Sequence, residues 1–388
     1  MPKAELQAES RERLRILTLC YEWPPVGGGG GRAGKDIAEG LAKRGHLVRV
    51  QTIRFGESPR FIREQEVEIY RTRGFRRRAD RCSPAEMAGY IVTSGLPILR
   101  HLREFRPDVI HAHFAVPTGV LAFPSSLIGR CPYVLTVHLG DVPGTIPEQT
   151  DHLFNWIQPF VRPIWRNAAA VVGVNQFVAR LAQSTYGRKV EVIPNGIWLG
   201  DRQALFEPSV DQPRFIFVGR LNSQKNLRSL PPIFALIKDL PWSLTIVGDG
   251  DERAILENNF HQAGLGDKVT FRGWLDRTQV EAALLNSDIF LMPSTVEGLS
   301  IAALEALKFG LIILGSDIPG LRDCVELGKT GYLLPLTQPD QWIKTLKALI
   351  LDRNQRLVMR HTAWHYAAKF DIESVTKQYE ALFCRVVA

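Results

Sequence analysis

The chain has 388 residues, 45% hydrophobic and 23% charged, a composition typical of folded globular protein and a length too great for one core, so two domains are expected. The formal charge of +8 is concentrated locally: residues 71–81 carry six arginines against one acid, Asp80. Five scattered cysteines without a C-x-x-C pair argue against a disulfide framework or a zinc site and suit a reducing cytoplasm.

The polar residues 1–15 lack the apolar core of a secretory signal. Residues 15–19 read as a buried first strand and residues 35–44 as a helix closed by Gly45, a βαβ opening. Between them, residues 29–34 spell G-x-G-x-x-G. A dinucleotide site is excluded because residues 20–26 separate strand from glycines and the strand at 47–52 ends without a ribose-binding acid. Gly28, Gly29 and Gly30 remain candidates for binding, since bare backbone can approach an anion closely.

Strand and helix signals then alternate: a strand at 67–70, a helix at 85–104, strands at 109–113 and 133–137, a helix at 153–166 and a strand at 169–174. Such alternation predicts a doubly wound parallel sheet with ligands at the carboxyl ends of its strands. Residues 114–129 are uncharged but fall short of the ~20 needed to span a bilayer and contain Pro117 and Pro124. His111 and His113 share a strand face, and with no third ligand nearby, core and hydrogen-bonding roles outrank a metal pair. His138 follows an apolar strand and lies at the crevice edge.

Residues 195–213 read as a linker, after which a second strand–helix run begins. Arg220 and Lys225 follow the strand at 214–218, the expected place for a phosphate clamp. Asp249-Gly-Asp251 is read as a turn and no metal site is predicted. Trp274 follows the strand at 269–271 and is a candidate for a nucleotide base or for the core.

The strand at 288–292 leads through Glu297 into a predicted helix at 299–309. Were that helix to extend through Glu297, Glu297 and Glu305 would stand about 12 Å apart along the axis and about 80° apart around it, suited to the two ends of one extended ligand. The first-turn N–H groups of Gly298, Leu299, Ser300 and Ile301 lie between them, where a diphosphate would suit the positive helix end. The last predicted helices are at 341–351 and 372–386.

The E-x7-E pattern of Glu297 and Glu305, with Gly310, Ser316-Asp317 and Gly328 to Gly331 after it, resembles the retaining glycosyltransferases of family 4. Gly28-Gly29, Gly45-His46, the 108–113 and 136–138 stretches, residues 193–196 and Val218-Gly-Arg220 with Lys225 extend that resemblance over nearly the whole chain. It implies an α/β GT-B fold of two Rossmann-like doubly wound domains facing a cleft: residues 1–200 with a C-terminal helix at 370–388 crossing back, and residues 201–369 binding the nucleotide sugar.

The resemblance further implies transfer of a sugar with retention from a UDP- or GDP-sugar to a hydroxyl of a sugar, glycolipid or small-molecule acceptor, without metal or cofactor. Arg220 and Lys225 would hold the diphosphate, Glu297 the donor sugar and Glu305 the ribose. His138, with His113 as a further substrate-binding candidate, would lie beside the reacting sugar. The family's H-G-x-D appears here as His138-Leu139-Gly140-Asp141, its glycine moved by one, which leaves the role of Asp141 open. A nucleotide-sugar epimerase and a non-catalytic binding subunit are the alternative readings. The arginines of residues 71–81 beside the apolar 85–100 segment suggest an anionic membrane surface, hence a cytoplasmic enzyme peripheral on the inner membrane face, and no nucleic-acid module is recognisable.

Overall fold

A computed structural model describes residues 13–79, 82–143, 161–200 and 212–388. The predicted helix at 153–166 falls mostly outside these residues, as do the leading segment, Asp80, Arg81 and most of the linker. The chain divides into two units, residues 1–194 with 372–388, and residues 195–371.

The first unit holds β1 (Arg15–Cys20), β2 (Leu47–Ile53), β3 (Phe61–Glu64), β4 (Val67–Thr72), β5 (Val109–His113), β6 (Tyr133–Val137), β7 (Ala170–Gly173) and β8 (Glu191–Val192). They form one sheet in the order β3-β4-β2-β1-β5-β6-β7-β8. All its pairs are parallel except β3–β4. The near-continuous apolar runs of β1, β5 and β6 follow from burial on both faces. The second unit holds β9 (Arg214–Val218), β10 (Ser243–Val247), β11 (Val269–Gly273), β12 (Ile289–Met292), β13 (Ile312–Ser316) and β14 (Gly331–Leu334). Its order is β11-β10-β9-β12-β13-β14, all parallel.

Each sheet starts with the same device. The Arg15 backbone N–H donates to Asp108 Oδ2 at 2.7 Å while its guanidinium grips the same carboxylate, fixing the start of β1 beside β5. Arg214 repeats this on Asp288, with a backbone bond of 2.9 Å, between β9 and β12. Asp288 also accepts from buried Arg360 at 2.8 Å, so this interior carboxylate is fully matched by hydrogen-bonded cations.

Helix α1 (Gly29–Lys43) follows β1, and α2 (Pro84–Glu104) begins with a Ser83/Glu86 capping box and Pro84 in its first turn. In the second unit α3 (Ile301–Lys308) follows β12 and α4 (Arg353–Tyr366) carries Arg360. The last helix, α5 (Ile372–Val387), belongs to the first unit. Its Glu380 bonds Arg44 and, at 3.1 Å, His46 Nε2, and its Tyr379 hydroxyl lies 3.1 Å from Thr136 on β6. The Gly45-His46 motif thus anchors a terminal helix. No described helix is long and apolar enough to cross a membrane.

Two helix starts differ from expectation. Helix α1 begins at Gly29 rather than residue 35, absorbing the glycines into its first turn. Helix α3 begins at Ile301, capped by Ser300, so Glu297, Gly298 and Leu299 lie in a loop and the helical spacing of Glu297 from Glu305 does not apply. Ser300 wins because its hydroxyl accepts the Ala303 N–H, at 3.3 Å, only from outside the helix.

Candidate active-site groups

In each unit the candidate residues come from the carboxyl ends of three neighbouring strands, β1-β5-β6 and β9-β12-β13. In the second unit the loop after β9 carries Arg220 and a short turn, Ser223–Lys225, capped by Asn222. Asn226 then adopts φ +51°, a left-handed conformation that Asn tolerates and Gly favours. This loop is stitched to residues 293–297 after β12. Gln224 Nε2 donates to Val296 O at 3.0 Å, Thr295 N–H to Gln224 O at 2.9 Å and Asn226 Nδ2 to Pro293 O at 3.2 Å. The stitching brings Lys225 Nζ to 2.6 Å from Glu297 Oε1, both side chains largely buried.

Behind this loop, Gly320 leaves room where any Cβ would stand 2.0 Å from Glu297 O and 2.3 Å from Gly298 O. Ser316 Oγ donates to Ser294 O and, at 3.2 Å, to Met292 O. Cys324 is buried behind the same loop, and desolvation pushes the pKa of its thiol up. Gln224, Gly320 and Cys324 carry no sequence signal of their own; their roles appear only once the two loops meet. Glu305 is half-buried on α3 and Arg220 half-buried on its loop.

Asp249-Gly-Asp251 forms the turn after β10, with Asp249 bonded to Arg253 at 3.1 Å. Gly248 is required there, since a Cβ would stand 1.9 Å from Gly219 O. No group of three or more potential metal ligands occurs among the described residues. Trp274 is 64% exposed, which corrects the core reading and leaves its ring available at the end of β11.

In the first unit, the turn after β1 places Glu22 Oε2 on the Gly28 N–H at 3.2 Å. Among the described residues, no side chain caps α1 and nothing stands within 4 Å of where a Gly28 Cβ would be. A Cβ on Gly30 would meet the Phe114 ring at 2.6 Å and His138 Nδ1 at 3.3 Å, so this glycine lets both rings approach the turn. The His138 ring packs 4.6 Å from Phe114 and 5.8 Å from His113. Its Nε2 is buried without a partner among the described residues, and burial lowers its pKa to about 4. The imidazole is therefore neutral near pH 7 and does not act as a cationic acid.

His113 is fully buried beside His138, with its pKa driven well below the usual value by desolvation and neighbouring imidazoles. It backs the His138 ring, and both of its ring nitrogens are buried without a partner among the described residues. His111 bonds Thr136 Oγ1 at 2.8 Å. Asp141 is buried behind the His138 loop: its Oδ2 accepts the His138 N–H at 2.8 Å and its Oδ1 the Ala115 N–H at 2.7 Å. It thereby ties the ends of β5 and β6 together. Desolvation raises its pKa to about 7 against the opposing pull of those N–H groups.

The basic 71–81 stretch is not one solvated loop. Arg76 is buried, its guanidinium over the Tyr21 ring at 5.1 Å and donating to Arg78 O and Ala79 O. The Ala79 carbonyl in turn accepts the Gly27 N–H at 2.7 Å, so this arginine braces the glycine turn.

Residues 27–200 match the family described as Glycosyltransferase Family 4, and residues 202–365 the one described as Glycosyl transferases group 1. The chain belongs to glycosyltransferase family 4, with the GT-B fold. An uncharacterised glycosyltransferase of Methanocaldococcus jannaschii is 27% identical over 84% of this chain and 86% of its own. A sulfoquinovosyl transferase of Arabidopsis thaliana is 26% identical over 73% of this chain, which spans 59% of that longer protein. The Anabaena protein HepE, solved with UDP-glucose, superposes with a TM-score of 0.74 over 95% of this chain and 98% of its own at 20% identity. This glycosyltransferase uses a nucleotide sugar.

Proposed function

We propose that this glycosyltransferase moves a sugar with retention, and without metal, from a UDP- or GDP-sugar to a hydroxyl acceptor in glycolipid or cell-surface polysaccharide synthesis. The observation that carries the reading is the Lys225–Glu297 pair at the carboxyl ends of β9 and β12, where open parallel sheets bind ligands. As the glycosidic bond breaks, negative charge grows on the leaving diphosphate. Arg220 and Lys225 and the N-terminal end of α3 neutralise that charge from positions set before reaction. Glu297 accepts from the hydroxyls of the donor sugar, its orientation fixed by Lys225. Glu305 accepts from the ribose hydroxyls. His138, neutral and with an unused Nε2, positions the reacting sugar or the acceptor, while the Gly28–Gly30 backbone approaches an anionic group.

The complex of HepE with UDP-glucose supports UDP as the first donor base to try. The test is a thermal-shift screen across UDP-, GDP- and ADP-sugars, since a bound donor raises the apparent melting point by mass action, followed by turnover with and without acceptor. Donor-specific stabilisation and acceptor-dependent release of the nucleotide are expected, with the anomeric configuration of the donor kept in the product by NMR. Conversion of the sugar nucleotide without acceptor would instead identify an epimerase, and binding without turnover a non-catalytic subunit.

A further inference from the structure

Helix α2 is apolar on both sides. Tyr90, Ile98 and Leu102 are buried. On the opposite side Val92 and Leu96 are 79% and 80% exposed, and Ala85 and Ala88 are exposed with them. At 100° per residue these four fall within an arc of about 80°, and no charged residue occurs between Glu86 and Arg100. Phe75, 60% exposed, lies against the same helix, its ring 3.1 Å from where a Gly89 Cβ would stand. An apolar stripe opposite a helix's buried face is ordinarily covered by a partner surface. Among the described residues only the inner side of α2 is.

Cations flank this stripe. One groove, of about 830 Å³, is lined by Phe75, Arg77, Arg78 and Glu86. A second, of about 520 Å³, is lined by Arg60, Phe61, Leu96 and Arg100. Among the described residues, Glu86 accepts from the Ser83 and Arg77 N–H groups and Glu104 from Arg100. Arg60, Arg77 and Arg78 are exposed.

We infer that this face docks on an anionic phospholipid bilayer, with Phe75, Val92 and Leu96 entering the headgroup boundary while Arg60, Arg77 and Arg78 meet lipid phosphates. Charge complementarity and exposed apolar side chains point to the same occupant. A soluble polyanion would engage the arginines but leave the three apolar side chains in water. A second copy of the chain, docked through the same face, would set like charges against each other. The inference deepens the proposed role in glycolipid or polysaccharide synthesis, yet docking needs no donor, acceptor or turnover, so its failure is separable from failure of that reading.

The test is co-sedimentation of the full chain with vesicles of phosphatidylglycerol and phosphatidylcholine, against phosphatidylcholine alone, at low and high salt. The protein is expected to pellet only with the anionic vesicles and to be released by salt. V92E/L96E, at exposed positions, is expected to lose pelleting with an unchanged melting temperature. R77A/R78A is expected to lower partitioning roughly 25-fold, about five-fold per arginine. The inference is overturned by absence of binding to either vesicle, by equal binding to both, or by V92E/L96E binding as the wild type does. Salt-sensitive binding to heparin without vesicle binding, or a dimer dispersed by V92E/L96E without vesicle binding, overturns it equally.

Discussion

Lys225 and Glu297, 72 positions apart in the chain, meet at 2.6 Å in a largely buried ion pair. Removing one partner leaves the other charge without compensation, at a cost of about 3 kcal/mol for such pairs. Lys225→Ala should therefore lower stability as well as activity, while Lys225→Ala/Glu297→Gln should recover part of the stability and none of the activity. Urea unfolding of the single and double variants measures the coupling. For turnover, losing a charge-assisted contact that strengthens on the leaving group costs about 2 to 4 kcal/mol, roughly 30- to 1000-fold. Arg220→Ala should show the same kinetic loss. Near wild-type kcat/KM in both cation variants would remove them from the diphosphate.

The two glutamates should separate kinetically. Glu297→Gln, beside the reacting sugar in the proposed arrangement, is expected to lower kcat chiefly, and Glu305→Gln, on the ribose, to raise the donor KM chiefly. Steady-state kinetics with varied donor decides, and the reverse pattern would exchange their assignments.

How much of this was legible in the sequence depended on whether the signal was local. The apolar runs of β1, β5, β6, β9 and β12 announce themselves because both faces of each strand are buried, and their order with the intervening helices yields the doubly wound units. The start of α3 is not legible because Ala- and Leu-rich propensity says little about which residue caps, and the Ser300 hydroxyl decides it. Arg76 looks like its neighbours in sequence, but only the fold places it over Tyr21. The Arg–Asp devices of Arg15 with Asp108 and of Arg214 with Asp288 repeat across units whose residues show no repeat, since the recurring feature is a backbone arrangement.

Gly320 tests whether the Glu297 loop must keep its path. A Cβ there would overlap the carbonyls of Glu297 and Gly298, and backbone cannot yield as a flexible side chain does. Gly320→Ala is expected to cost about 1 to 3 kcal/mol of stability by overpacking. It should also lower kcat/KM, although Gly320 is assigned no contact with substrate. Unchanged kinetics in a folded variant would mean that the loop tolerates displacement.

Chelation is the plainest check of the cationic mechanism. With Arg220 and Lys225 carrying the diphosphate charge, EDTA should leave turnover intact. Loss with EDTA and rescue by Mg²⁺ or Mn²⁺ would reopen Asp249 and Asp251 as ligands.

Asp141 makes the pH dependence specific. Its folded pKa of about 7 lies above the unfolded value near 3.8, so between those values the folded state holds a proton that the unfolded state has released. Stability from this group therefore falls as pH rises from about 4 to about 7. The buried histidines act oppositely: His101 and His138 are lowered to about 4 and His111 to about 3, all by desolvation first. The unfolded chain takes up protons on them below about pH 6.5 while the folded chain does not, so they withdraw stability as pH falls through that window. Net acid destabilisation below pH 6.5 is expected, reduced by Asp141. Asp141→Asn removes that opposing contribution, so its stability deficit relative to wild type should grow between pH 7 and pH 4, measured by urea unfolding at each pH. Because Asp141 accepts the His138 N–H and, through its other oxygen, the Ala115 N–H, tying the His138 loop to the end of β5, the variant should also lose any activity limb near pH 7. A deficit independent of pH would mean that Asp141 is a backbone staple without titrating in this range.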